Sequence, residues 1–153
     1  MKINYILLLL ILLICLGGCT DKSIKPSADS QTASDVFNLI NTIKTAYEGK
    51  DRIVLQNHMG NLLAGNTMKG LLFEEAGLTI TPRMVTITDT SVKVNVIWSG
   101  TWLIKQGMKL ENRGSADLVF HKESMKLTYI DGDNPFDVPS DRNGGNALPV
   151  LEN

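Results

Sequence analysis

The hydrophobic period of this chain changes once, at Gly77, and that change limits the fold more than any other feature. Before it, apolar residues recur every three or four positions, as on one face of a helix. Val36, Leu39, Ile40, Ile43 and Tyr47 form the clearest stripe, with Thr32 or Ser34 as N-cap, Asp35 in the first turn and Gly49 as the stop. Asp51 predicts the cap of a second helix carrying Leu55, Met59 and Leu62 and ending at Gly65. A third, shorter helix is expected over Thr67 to Ala76, using Met68, Leu71 and Leu72, with Gly77 closing it. After Gly77 the period is two, the signature of half-buried strands.

The predicted strands are Met84–Thr88, Val92–Trp98 continuing past a bend at Gly100 into Thr101–Ile104, Ala116–His121, and Lys126–Ile130. Turns are expected at Asp89-Thr90-Ser91, Gln106-Gly107 and Glu123-Ser124, and around Asp131 to Pro135. Helices first and an antiparallel meander second give an α+β domain, three helices on one face of a curved sheet of about four strands. On that face the alternation places Val85, Ile87, Val92, Val94, Val96, Trp98, Leu118, Phe120, Leu127 and Tyr129. Lys93, Asn95, Asp117, Lys126 and Thr128 are expected to face water.

The first 18 residues carry a different signal. Lys2 precedes a run from Tyr5 to Leu16 that is almost wholly apolar. The run is well short of the roughly 20 residues that cross a bilayer as a helix. Leu16-Gly17-Gly18-Cys19 follows at once and resembles the lipobox of bacterial lipoprotein signal peptides. The resemblance implies cleavage between Gly18 and Cys19, a diacylglyceryl group (and a further acyl chain) on Cys19, and a cell-envelope protein held to a membrane by lipid. In such lipoproteins an aspartate after the cysteine retains the protein at the inner membrane. Thr20 occupies that place here, so the resemblance favours an outer-membrane protein facing the periplasm. Residues 19–33, small and polar apart from Ile24, read as the lipidated cysteine and a flexible tether, and residues 137–153 read as a disordered tail. The folded domain is expected over 34–136.

Subtraction of the signal removes Cys15, and lipid consumes Cys19, so no thiol remains for a disulfide, a thiolate metal site or a cysteine nucleophile. Charged residues are 20% of the chain, interspersed in sign, with a formal net charge of −1. No basic stripe recommends nucleic acid as a partner.

The order helix, helix, short helix, long meander resembles the nuclear transport factor 2-like (SnoaL-like) superfamily. The stretches that carry the resemblance are the junction Ala46-Tyr47-Glu48-Gly49-Lys50-Asp51 and the closing runs Gly114–Phe120 and Lys126–Gly132. It implies a cone-shaped cavity between sheet and helices and homodimers through the sheet face. It implies no particular activity, because the superfamily holds isomerases, dehydratases and binding domains.

Two residue types could carry chemistry. His58, on the apolar stripe of the second helix, is either a general base at a cavity wall or a boundary histidine packed by its ring. Asp131 has inward parity at a strand end and is a second candidate base, whereas His121 is expected to face water. Asp131, Asp133 and Asn134 around Gly132 form a fragment of a calcium loop without its remaining ligands, which reads as a turn. Two distant histidines match no metal-ligand spacing, and nothing in the sequence calls for a cofactor. Tyr47, Phe73, Trp98 and Trp102 either line the mouth of a cone that takes a small apolar ligand or fill the core. Inward positions that are nearly all aliphatic or aromatic favour a non-catalytic binding or interaction domain. The alternatives are an isomerase or dehydratase using His58 or Asp131, with Glu74 able to reach in from the helices, and a structural envelope protein paired through its sheet.

Overall fold

The computed structural model describes residues 27–139, three helices followed by a four-stranded antiparallel sheet. The lipobox and signal peptide, most of the tether, and the tail beyond residue 139 lie outside the described residues. Helix α1 spans Ala28–Glu48, α2 Arg52–His58 and α3 Asn61–Lys69. Strands β1 (Glu75–Ile87), β2 (Ser91–Ile104), β3 (Met108–His121) and β4 (Lys126–Gly132) pair in sequence order.

Helix α1 starts earlier than the apolar stripe suggests. Its N-cap is Ser27, whose hydroxyl accepts from Ser30 N–H at 3.2 Å, with Asp29 in the first turn. Thr32 and Ser34 are therefore inside the helix, and Thr32 donates back to the Ala28 carbonyl at 2.9 Å. Residues 28–33, expected in the tether, are helical turns with little to bury, which is why no hydrophobic period marks them. The stripe itself is seated as expected, with Val36, Leu39, Ile40, Ile43, Ala46 and Tyr47 all buried.

The second and third helices are cut differently from the sequence reading. Helix α2 stops at His58, and Met59 turns extended to bridge Leu127 of β4. Gly60 N–H then donates to the Leu127 carbonyl at 2.8 Å and Gly60 caps α3. The break docks the helical layer on the sheet's outer strand, so Met59 is buried while Leu62 stays exposed. Residues 71–74 are loop, and Glu74 is exposed there, its N–H held by the Leu103 carbonyl at 2.6 Å. Edge strand β1 begins at Glu75 rather than near Met84, and Gly77 lies within it.

Two bulges set which side chains face the helices. In β1 the register slips between Pro82 and Met84, at the edge strand where a residue without an N–H costs no ladder bond. The slip lets Leu78 and Ile80 pair with Gly100 and Trp98 while Val85 and Ile87 still meet Val94 and Val92 on the inner face. In β4 the slip lies between Leu127, opposite Phe120, and Tyr129, opposite Val119. The extra residue, Thr128, donates its hydroxyl to the Val119 carbonyl at 3.0 Å. Beyond the bulge the parity is inverted. Tyr129 is therefore exposed instead of inward, and Ile130 opposite Leu118 takes its place against the core. Strand β2 runs unbroken through Gly100, and a short connection with left-handed Gln106 and Gly107 turns it into β3.

Candidate functional site: the aromatic interior

The concave side of the sheet is where a cavity would lie, and its contents are set by the junction between α1 and α2. Helix α1 closes with N–H bonds from Gly49 to the Thr45 carbonyl, Lys50 to Tyr47 and Asp51 to Ala46. Gly49 is the C-cap, as expected, and the left-handed residue of this closure is Lys50 (φ 56°). A lysine there is held from two sides. Its ammonium donates to the Phe73 carbonyl and sits 4.9 Å from the centroid of the Phe73 ring. Asp51 then caps α2, its Oδ1 accepting from Ile53 and Val54 N–H at 3.1 and 3.0 Å. On the opposite side Glu48 pairs with Lys44 at 2.9 Å and accepts the Leu78 N–H of edge strand β1 at 2.6 Å. That bond satisfies a donor the sheet leaves open.

Tyr47 and Phe73, so positioned, meet the sheet residues Trp98 and Trp102 in the interior. Tyr47 and Phe73 pack with ring centroids 5.1 Å apart, and Phe136, from the segment after β4, closes on Tyr47 edge-on at 5.5 Å. Trp98 and Trp102 lie edge to face at 6.4 Å. Trp102 Nε1–H donates to the Tyr47 hydroxyl at 2.9 Å, and Trp98 Nε1–H donates to the Asp133 carbonyl at 2.7 Å. Each indole thus has the hydrogen-bond partner that burial demands. All five rings are at most 4% exposed, so they form a packed core instead of an open mouth.

Small residues make room for these rings. A Cβ on Gly100 would strike the Trp102 ring and approach Leu78 Cδ2 to 2.6 Å. One on Gly114 would meet Asp133, whose carboxylate accepts Ser115 N–H at 3.3 Å and whose N–H donates to the Ser115 carbonyl at 2.9 Å. Asp133 is therefore a strand-end clasp, as the turn reading of that segment expects. Burial pushes the Tyr47 hydroxyl up to about 12, against the smaller opposing effect of the Trp102 hydrogen bond.

The candidate bases are not brought together. Asp131 pairs with Asp117 across β3 and β4, on the outer face, because the Thr128 bulge reverses the parity that the sequence assigned to it. His58 is half-buried at the C-terminus of α2. His121 is exposed at the end of β3, where Nδ1 lies 3.2 Å from the hydroxyl of Ser124 in the turn. No cluster of three or more metal-ligating side chains occurs among the described residues. The outer face carries instead a polar trio, Asp117 with Lys93 at 3.1 Å and Asn95 at 2.7 Å, and these contacts, Asn95 foremost, hold the Asp117 carboxyl below its usual value. Phe136 was not singled out by sequence reasoning, and Glu48 and Lys50 entered only as part of the α1–α2 junction, with no role assigned. The signal that could have found Phe136 is its place as an aromatic directly after the turn that ends at Pro135.

No protein-family model matches this sequence, and no curated protein matches it. Solved structures do. An NTF2-like superfamily protein from Salmonella enterica serovar Typhimurium superposes with a TM-score of 0.59 at 13% identity, covering 78% of this chain and 100% of that one. A Kribbella flavida protein gives 0.56 at 8% identity over 68% of this chain and 92% of that one. A conserved Planctomyces limnophilus protein gives 0.53 at 11% identity over 64% and 94%. At such identities the likeness speaks for shape alone. Three helices packed on a four-stranded antiparallel open sheet, with these neighbours, make the fold nuclear transport factor 2-like.

Proposed function

We propose that this chain is a lipid-anchored cell-envelope protein whose α+β domain acts by binding, without turnover. The observation that carries the binding half is the interior: five aromatic rings occupy the concave side, and the only titratable group among them is a tyrosine that holds its proton. A substrate cavity needs space and a tuned acid or base, and the inner face offers neither where these rings lie. The anchoring half rests on Leu16-Gly17-Gly18-Cys19 directly after an apolar run, and Thr20 favours the outer membrane. In this reading the work falls to the outer surfaces of the domain.

Cys19→Ser tests the anchor. The variant leaves the membrane fraction or accumulates with its signal uncleaved. Normal processing together with unchanged membrane fractionation would overturn it. The binding half is tested by crosslinking in cells, with recovery of a specific partner or ligand expected. Turnover of a small carbonyl or hydroxy compound would reject it, and His58→Ala and Asp131→Asn would then show whether either residue is the base.

A further inference from the structure

Two adjoining depressions of about 500 and 780 Å³ on the outer face of β1–β3 share Thr79, Ser99 and Arg113. The register explains why these side chains stand together: Thr79 pairs with Ser99, and Ser99 with Arg113, so the three form one row across the strands. The next row is Thr81, Ile97 and Ser115, and Thr101 follows on the other side opposite Glu111. Alternation sends all of them to the same face. The result is a bed of hydroxyls around the exposed Ile97, with one guanidinium at its side.

The carboxylates that line the bed are each engaged by another group, two of them by a lysine. Glu48 holds Lys44 and the Leu78 N–H, Glu111 holds Lys109 at 2.7 Å, and Asp133 holds the Ser115 N–H. Arg113 is exposed and forms no salt bridge among the described residues, and its side chain makes no hydrogen bond there either. A planar guanidinium is built to take an oxyanion through two parallel N–H bonds. The flanking serine and threonine hydroxyls donate and accept, which suits a polyhydroxylated scaffold better than a bare ion.

We propose that this groove binds a sugar acid, its carboxylate on Arg113 and its hydroxyls on Thr79, Thr81, Ser99 and Ser115. The assignment rests on the reading that the domain binds without turnover, and it names the ligand class. The probes are sodium glucuronate, glucose (hydroxyls without the anion) and inorganic phosphate (an anion without the carbon scaffold), titrated into isotope-labelled full-length chain in mild detergent. Glucuronate shifts the amide resonances of Thr79, Ser99, Arg113 and Ser115 saturably, at least about tenfold more tightly than either control, as a charge-assisted bidentate pair warrants. Arg113→Gln lowers glucuronate affinity by about tenfold or more, and Arg113→Lys, which keeps the charge and loses the fork, recovers only part of it. Lys122→Gln, a substitution outside the groove, leaves it unchanged. Equal affinity for phosphate or for glucose overturns the sugar-acid assignment, as does a glucuronate response that survives Arg113→Gln. Failure on these arms with a partner still recovered by crosslinking removes the groove alone, whereas turnover of a substrate removes the binding reading itself.

Discussion

Tyr47 is the residue on which the interior turns. Its hydroxyl accepts the Trp102 indole and its ring touches Phe73 and Phe136. Tyr47→Phe keeps the rings and leaves a buried indole N–H unpaired, which costs about 1–3 kcal/mol in denaturant unfolding. The pH dependence has a definite sign. The hydroxyl ionises near 10 in the unfolded chain and near 12 in the fold, so its contribution is complete below pH 10 and is lost as pH rises towards 12. Wild type therefore loses stability over that window by about 2–3 kcal/mol, and Tyr47→Phe flattens the loss; an identical alkaline profile in both proteins would contradict the assignment. Gly100 is the complementary test of packing. Gly100→Ala drives a methyl into the Trp102 ring and destabilises by about 1–3 kcal/mol, read as a lowered unfolding midpoint.

Elements differ in how much of them the sequence displays. The buried stripe of α1 and the alternation of β2 were legible because each repeats a period over several turns or pleats, and Val92, Val94, Val96 and Trp98 are buried as the pattern demands. The start of α1 was hidden, since its first turns are solvated and a serine cap resembles any tether serine. The α2–α3 break was hidden too, because Met59 and Leu62 look alike as letters while tertiary pairing with Leu127 selects only the first. The parity of β4 depends on one extra residue, Thr128, and a single insertion reverses every side chain after it. That is why Tyr47, Phe73, Trp98 and Trp102 could be named from sequence while Tyr129 and Asp131 were assigned to the wrong face. Asp51→Ala tests an element boundary that was legible. Removing the cap of α2 costs about 1 kcal/mol in thermal or denaturant unfolding, and Asp51→Ser restores most of it. On the outer face, Asn95→Ala raises the Asp117 carboxyl towards its ordinary value in an NMR titration, because it removes the foremost of the contacts that hold it down.

At the scale of the whole molecule, a fold that encloses a cone in outline has its cone occupied. The helices reach the sheet through Lys50, Glu48 and Met59, each fastening a helix end to a loop or strand, and the aromatic rings take up the space between. The superposition on NTF2-like structures gives the outline and leaves the contents to this chain's own residues. In the proposed reading, function then falls to the outer surface of the sheet. The central claim is that the interior is filled, and the indole Nε1–H resonances of Trp98 and Trp102 report on it directly. In hydrogen-exchange NMR of the full chain, the Trp102 indole proton exchanges as slowly as the core amides, and its resonance stays in place when an apolar probe such as anilinonaphthalene sulfonate is titrated in. Fast exchange of that proton, or a saturable shift of both indoles with the probe, would show an open cavity and contradict the account.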